Sequence, residues 1–208
     1  MKRAMNTRFK TVLASLAIAA SSGALASPAP TFIAIPLPGS TMSFDLPPDF
    51  VRVTDKNNGT NVLIEFVARG QSVANWTRMV TVQAYRGLGV SPAPTADIAR
   101  QAFYPAACRI GPIYRDGGEM AVRKGLTLSV ITNGCASLPA GAYPKALKGA
   151  GEQDFIMMFR DANNIYTLNY AERGKPFAGK PPPRGIEQSN EILRGIFGIV
   201  QLTARRVK

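Results

Sequence analysis

Val51-Arg52-Val53-Thr54-Asp55-Lys56-Asn57-Asn58-Gly59-Thr60-Asn61-Val62-Leu63-Ile64-Glu65-Phe66-Val67 carries the clearest structural signal in the chain. Two β-branched, alternating runs, 51–54 and 62–67, flank 55–59, and Asn-Gly takes the positive φ values of a tight turn without strain. The stretch predicts a β-hairpin. Downstream, residues 79–85 alternate with period two. Phe155-Ile156-Met157-Met158-Phe159 and residues 165–170 flank Asp161-Ala162-Asn163-Asn164, a second hairpin. Its first strand is apolar on both faces, as a central, covered strand is. Between these hairpins, Ile113-Tyr114-Arg115 is expected to turn at Asp116-Gly117-Gly118 into Met120-Ala121-Val122, followed by a strand over 126–130.

Two segments read as helices. Pro92 and Pro94 precede Thr95, an expected N-cap, and Ile98, Ala99, Ala102 and Phe103 recur at helical spacing until Pro105 stops the run. That places a helix over about 95–104. Ile192, Leu193, Ile196, Phe197, Ile199, Val200 and Leu202 form a broad apolar stripe over about 189–203, followed by Arg205, Arg206 and Lys208. Strands outnumber helices and the turns are hairpin-like. The fold class is therefore α+β, an antiparallel sheet with both helices packed on one side of it.

The ends of this pattern set the organisation. Residues 1–26 have the three parts of a secretory signal: Lys2, Arg3, Arg8 and Lys10, then an uncharged apolar run, then Ala24-Leu25-Ala26. Cleavage is expected after Ala26, and the apolar run is too short and too diluted by Ser and Gly for a spanning anchor. Residues 27–48 carry Pro28, Pro30, Pro36, Pro38, Pro47 and Pro48 and read as an extended lead-in, an edge strand or a linker. Within it, residues 42–46 alternate as a first strand. Residues 49–208 then form a single α+β domain, with no internal repeat.

Export constrains the chemistry. Removing the four leader cations from 25 Lys+Arg leaves 21 against 13 Asp+Glu, a net charge of +8. That balance favours acidic partners: an acidic envelope component, an envelope protein complex, or peripheral contact with anionic lipid. Nucleic acid is not expected beyond a membrane. Cys108 and Cys135 are an even pair in an oxidising compartment, which reads as a structural disulfide. A loop of that length contributes about 3.5 kcal/mol by chain entropy. The chain contains no histidine, which removes Ser-His-Asp catalysis, His-ligated metals and histidine pH switching. No Gly-rich phosphate loop and no Asp-rich calcium loop is present, so no cofactor or metal is expected.

Residues 72–83, Ser-Val-Ala-Asn-Trp-Thr-Arg-Met-Val-Thr-Val-Gln, resemble a segment of small exported proteobacterial proteins of uncharacterised function. The later order of a helix, Cys108, a strand run, Cys135 and Gly151-Glu152 before an apolar hairpin is similar too. The element order resembles the PsbP-like fold, and this resemblance implies a non-catalytic accessory role beside larger envelope or membrane complexes. It supplies no catalytic residues.

Several residues stand out as site candidates. Trp76, the only tryptophan, is a stacking platform if exposed and a core anchor if not. Asn58-Gly59-Thr60 and Asn75-Trp76-Thr77 match a glycosylation sequon, without significance in a bacterial-type export context. The basic segment 173–184 gathers Arg173, Lys175, Lys180 and Arg184 around Phe177 on a proline-stiffened scaffold, the best binding candidate. Glu65, Glu152 and Asp154 are the carboxylates placed for burial, and a Glu152/Asp154 pair is what a glycosidase requires. The leading expectation is a non-enzymatic exported binding protein, with a carboxylate-dependent hydrolase of envelope polymers and an anionic-lipid or polyanion binder as alternatives.

Overall fold

Residues 29–106, 108–139 and 149–205 are described in the structure, a computed structural model; the expected leader and its cleavage point lie outside them. The strands in chain order are β1 (Thr31–Leu37), β2 (Ser40–Leu46), β3 (Phe50–Asn57), β4 (Asn61–Ala68) and β5 (Arg78–Arg86). Helix α1 (Thr95–Phe103) leads to β6 (Ile110–Arg123), β7 (Leu126–Ser137), β8 (Gly151–Asp161) and β9 (Asn164–Gly174). Helix α2 (Ser189–Phe197) and β10 (Gln201–Ala204) close the chain. A seven-stranded antiparallel sheet runs in the order β3-β4-β5-β9-β8-β7-β6, and β1-β2-β10 form a second, small sheet. The class is α+β, as the sequence predicts.

The alternation along β8 shapes the packing. Phe155 and Phe159 join a cluster with Phe66, Val82, Tyr166, Leu168 and, from above, Leu193 and Phe197 of α2 and Met42, Phe44 and Leu202 of the small sheet. Ile156 and Met158 point the other way, into a cluster with Ile131, Ile165 and Ala99 of α1. The helices therefore cover opposite faces of the large sheet. This corrects the expectation that they share one side: a strand apolar on both faces needs cover on both.

Residues 31–46 are a hairpin of an edge strand, β1, and a second strand that contains the one expected over 42–46, and Ile35, Leu37, Met42, Phe44 and Leu46 are buried in the main core. Pro36 is tolerated because β1 is an edge strand. The terminal helix stops at Phe197, not 203. Gly198 takes φ 61° and donates its N–H to the Arg194 carbonyl at 2.9 Å, and β10 then pairs with β2 through Leu202 opposite Met42. Asp116-Gly117-Gly118 is a bulge within one long strand rather than a turn. Gly118 sits at φ 82° with its N–H on Asp116 Oδ1 at 2.9 Å, and the chain reverses at Gly125, φ 75°.

Thr95 is the first residue of α1 rather than its N-cap. Its hydroxyl donates to Glu119 Oε1 at 2.9 Å and accepts from Arg160 Nη1 at 3.0 Å. Arg160 also donates to the carbonyls of Gly89, Ser91 and Ala93, so one guanidinium fastens the whole approach to α1. Charged donors to carbonyls are the stronger class of hydrogen bond. Arg160→Met is expected to cost about 3 kcal/mol in urea unfolding. It should also speed amide hydrogen exchange in α1 before the rest of the sheet; uniform exchange in the variant would contradict this role.

Candidate binding site

The open end of the β8–β9 hairpin collects most of the residues the sequence singles out. Here strand alternation divides them between two faces. Gly151 and Gln153 face the α2 side with Glu172, whereas Glu152 and Asp154 face the α1 side with Arg173.

On the α2 side, the basic segment folds back over the sheet. Phe177 is buried rather than exposed, 7% accessible, with its N–H on the Ala136 carbonyl at 3.0 Å. It packs so closely on Gly151 that a Cβ there would lie 2.8 Å from the ring, which explains the glycine. Arg184 closes the segment. Its N–H donates to Gln153 Oε1 at 3.2 Å, its carbonyl accepts from Gln153 Nε2 at 3.0 Å, and its guanidinium makes two 2.9 Å bonds to Glu172. Tyr170 adds its hydroxyl to Glu172 at 2.6 Å. Of the four cations on the segment, Lys175, Lys180 and Arg184 are exposed; Arg184 pairs with Glu172 and Arg173 with Glu152. Beneath the segment lies a hollow of about 320 Å³ lined by Gly151, Gln153, Glu172, Lys175, Phe177 and Pro183.

On the α1 side, Trp76 is 5% accessible and lies in a cluster with Val67, Met79 and Ala171. The Arg173 guanidinium covers its ring, 3.6 Å from the centroid. Arg173 also pairs with Glu152, and both side chains are largely shielded from solvent. Asp154 follows, with Asn169 Nδ2 donating to it at 3.4 Å. Burial pushes the Asp154 carboxyl well above the usual carboxylate range, reinforced by the Glu152 charge and opposed by Asn169 and Arg173. A cavity of about 90 Å³ adjoins the two carboxylates and the disulfide. Cys108 and Cys135 are bonded, with S–S 2.07 Å and Cα–Cα 5.6 Å, consistent with an oxidising, exported compartment. Glu65 is half-buried, opposite Thr81, apart from this group.

The sequence singled out Trp76, Glu152, Asp154 and the basic segment separately; the fold brings them to one corner. Gln153 and Glu172, which anchor Arg184, were not foreseen. The only trace of their role is the alternation that sets them opposite Glu152 and Arg173. No protein-family model matches the chain, and no curated protein does.

Two outcomes follow from the buried charges. Arg173→Met leaves Glu152 without this partner and uncovers Trp76, so it should cost about 3 kcal/mol and red-shift the fluorescence of that single tryptophan. Adding Glu152→Gln should recover part of the loss; strict additivity in the cycle would deny the coupling. Asp154 holds its proton more tightly folded than unfolded, where it titrates near 3.8. Its contribution therefore favours the fold in acid and is lost as pH rises through its folded value. Asp154→Asn should gain stability over the wild type progressively from acid to alkaline pH in denaturant titrations; a pH-independent difference would contradict this.

Proposed function

We propose that this chain is an exported accessory protein of the cell envelope that works by binding rather than catalysis. The basic segment would engage an acidic envelope component or the acidic face of a partner complex. One observation carries the reading: residues 174–184 are anchored at both ends, by Phe177 in the core and Arg184 on Gln153 and Glu172, while Lys175 and Lys180 stay exposed. A cationic surface already held in place loses little entropy on association. The net charge of +8 after leader removal pulls the same way. The resemblance to PsbP-like proteins and to small exported proteobacterial proteins fits the same accessory role, by analogy of layout alone.

A hydrolase built on Glu152 and Asp154 has less support. Glu152 is engaged by Arg173, and the adjoining cavity, about 90 Å³, falls well short of the ~300–1,000 Å³ typical of ligand sites. Binding therefore takes precedence over hydrolysis.

The test is sedimentation of the mature protein with vesicles containing phosphatidylglycerol, compared with vesicles of phosphatidylcholine alone. Binding to the anionic vesicles should weaken about tenfold in the K175A/K180A double variant and fall as salt compresses the Debye length. Glu152→Gln should leave it unchanged. Salt-insensitive binding, or none, would remove the anionic-surface reading. Loss of a polymer-degrading activity in folded Glu152→Gln protein would favour the hydrolase.

A further inference from the structure

A second concave surface lies toward the other end of the sheet, beside the β3–β4 turn. It encloses about 620 Å³, and Asn57, Asn58, Asn61, Leu63, Gln83 and Tyr85 line it. That volume falls in the ordinary range for small-ligand sites. We propose that this groove binds a neutral saccharide, a short segment of a polyhydroxylated polymer. The inference goes beyond the basic-segment reading and stands on different residues.

The donor and acceptor inventory supports it. Asn57 Oδ1 accepts the Gly59 N–H at 2.9 Å, and Asn58 Oδ1 accepts from Thr60 N–H, Thr60 Oγ1 and Asn61 N–H at 3.2, 3.0 and 2.7 Å. Gln83 Oε1 accepts the Tyr85 hydroxyl at 3.0 Å. The amide oxygens are thus committed to holding the turn and the ring, and among the described residues the three NH₂ groups remain as donors. Asn61 keeps its whole side-chain amide uncommitted among the described residues. Three amides oriented through their oxygens, with the Asn61 amide beside them, match a ligand rich in hydroxyl, ether and acetamido oxygens, because such a ligand replaces hydrogen bonds that water gives up.

Charge disfavours the competing ligand class. Of the charged residues on the wall, Asp55 is paired with Arg52 at 3.0 Å, which leaves Lys56 as a single exposed cation. One solvent-exposed charge attracts an anion weakly, and the basic segment offers two in Lys175 and Lys180. An apolar ligand would strip water from the amides without repaying their hydrogen bonds.

The walls supply the remaining requirements. Tyr85 is half-buried against the cluster of Ala99, Ile131, Ile156, Met158 and Ile165, which restrains its ring, and with Leu63 it offers an apolar strip for the C–H face of a sugar ring. The turn itself is closed by Asn58 N–H on the Asn61 carbonyl at 3.1 Å and Arg86 N–H on the Thr60 carbonyl at 2.8 Å. The groove is therefore formed before the ligand arrives.

The experiment titrates ¹⁵N-labelled mature protein with an N-acetylglucosamine tetramer and with maltotetraose, following backbone and side-chain amide signals. Saturable shifts are expected at residues 57–61, 83 and 85 with at least one of them. Asn61→Ala and Gln83→Ala should each weaken binding about tenfold, the loss of one or two ligand hydrogen bonds, while unfolding curves confirm that both variants fold. K175A/K180A and added salt should change nothing. No saturable shift with either oligosaccharide overturns the inference, as does binding that salt abolishes or that survives both substitutions. Either failure leaves the vesicle result for the basic segment untouched.

Discussion

Five consecutive side chains, Phe155 to Phe159, dictate the architecture because no polar residue interrupts them. Phe155, Ile156, Met158 and Phe159 are buried, and Met157 packs partly against the main cluster. At ~1.5–3 kcal/mol for each large apolar side chain removed from water, the segment is worth roughly as much as the whole net stability of a domain. That figure is an upper bound on the transfer term, since denatured chains bury some apolar surface too. Such a strand cannot be left bare on either face. α2 and the β1-β2-β10 sheet answer the demand on one side and α1 on the other. The rest of the chain is arranged to deliver these covers, down to the Arg160 guanidinium that fastens the approach to α1.

What the sequence reveals of this arrangement follows the range of the interactions. The 51–67 hairpin is readable because its turn chemistry and its alternation are local, and α1 is readable to within one residue because prolines bound it. The end of α2 is not, since Gly198 lies inside an unbroken apolar stripe and only pairing with the distant β2 makes residues 201–204 a strand. Asp116-Gly117-Gly118 has turn composition, and a bulge uses the same positive-φ glycine. Prolines around 31–46 conceal a hairpin whose core contacts are made with distant strands. Sheet order is equally remote: β5 beside β9 is a pairing that no local pattern encodes. The corner site inherits this limit. Each of Trp76, Glu152 and Arg173 has a recognisable chemistry, but their contact exists only because β5, β8 and β9 are neighbours.

The corner also shows how one strand serves two environments. Along 151–154, alternate residues enter a polar, charge-bearing layer on the α1 side and an anchoring layer on the α2 side. Burying Glu152 with Arg173 is costly in desolvation, and the pair need not add stability over an apolar alternative. Its geometric effect is definite, because Arg173 must sit over Trp76 and against Glu152 at once. That fixes the end of β9, from which the basic segment departs at Gly174.

The two proposed surfaces sit at different stations along the same strands. Gln83 of the groove is opposite Thr167 of β9, whereas the basic segment leaves the sheet just beyond Glu172. At ~3.3 Å per residue that stretch of β9 alone spans about 17 Å. Filling one surface leaves the other open. Their chemistries differ as well: one offers fixed neutral amides, the other cations on a braced loop. The groove also opens on the α1 face, where Tyr85 packs, and the basic segment on the α2 face. On opposite faces and with no residue in common, the two surfaces select their ligands independently.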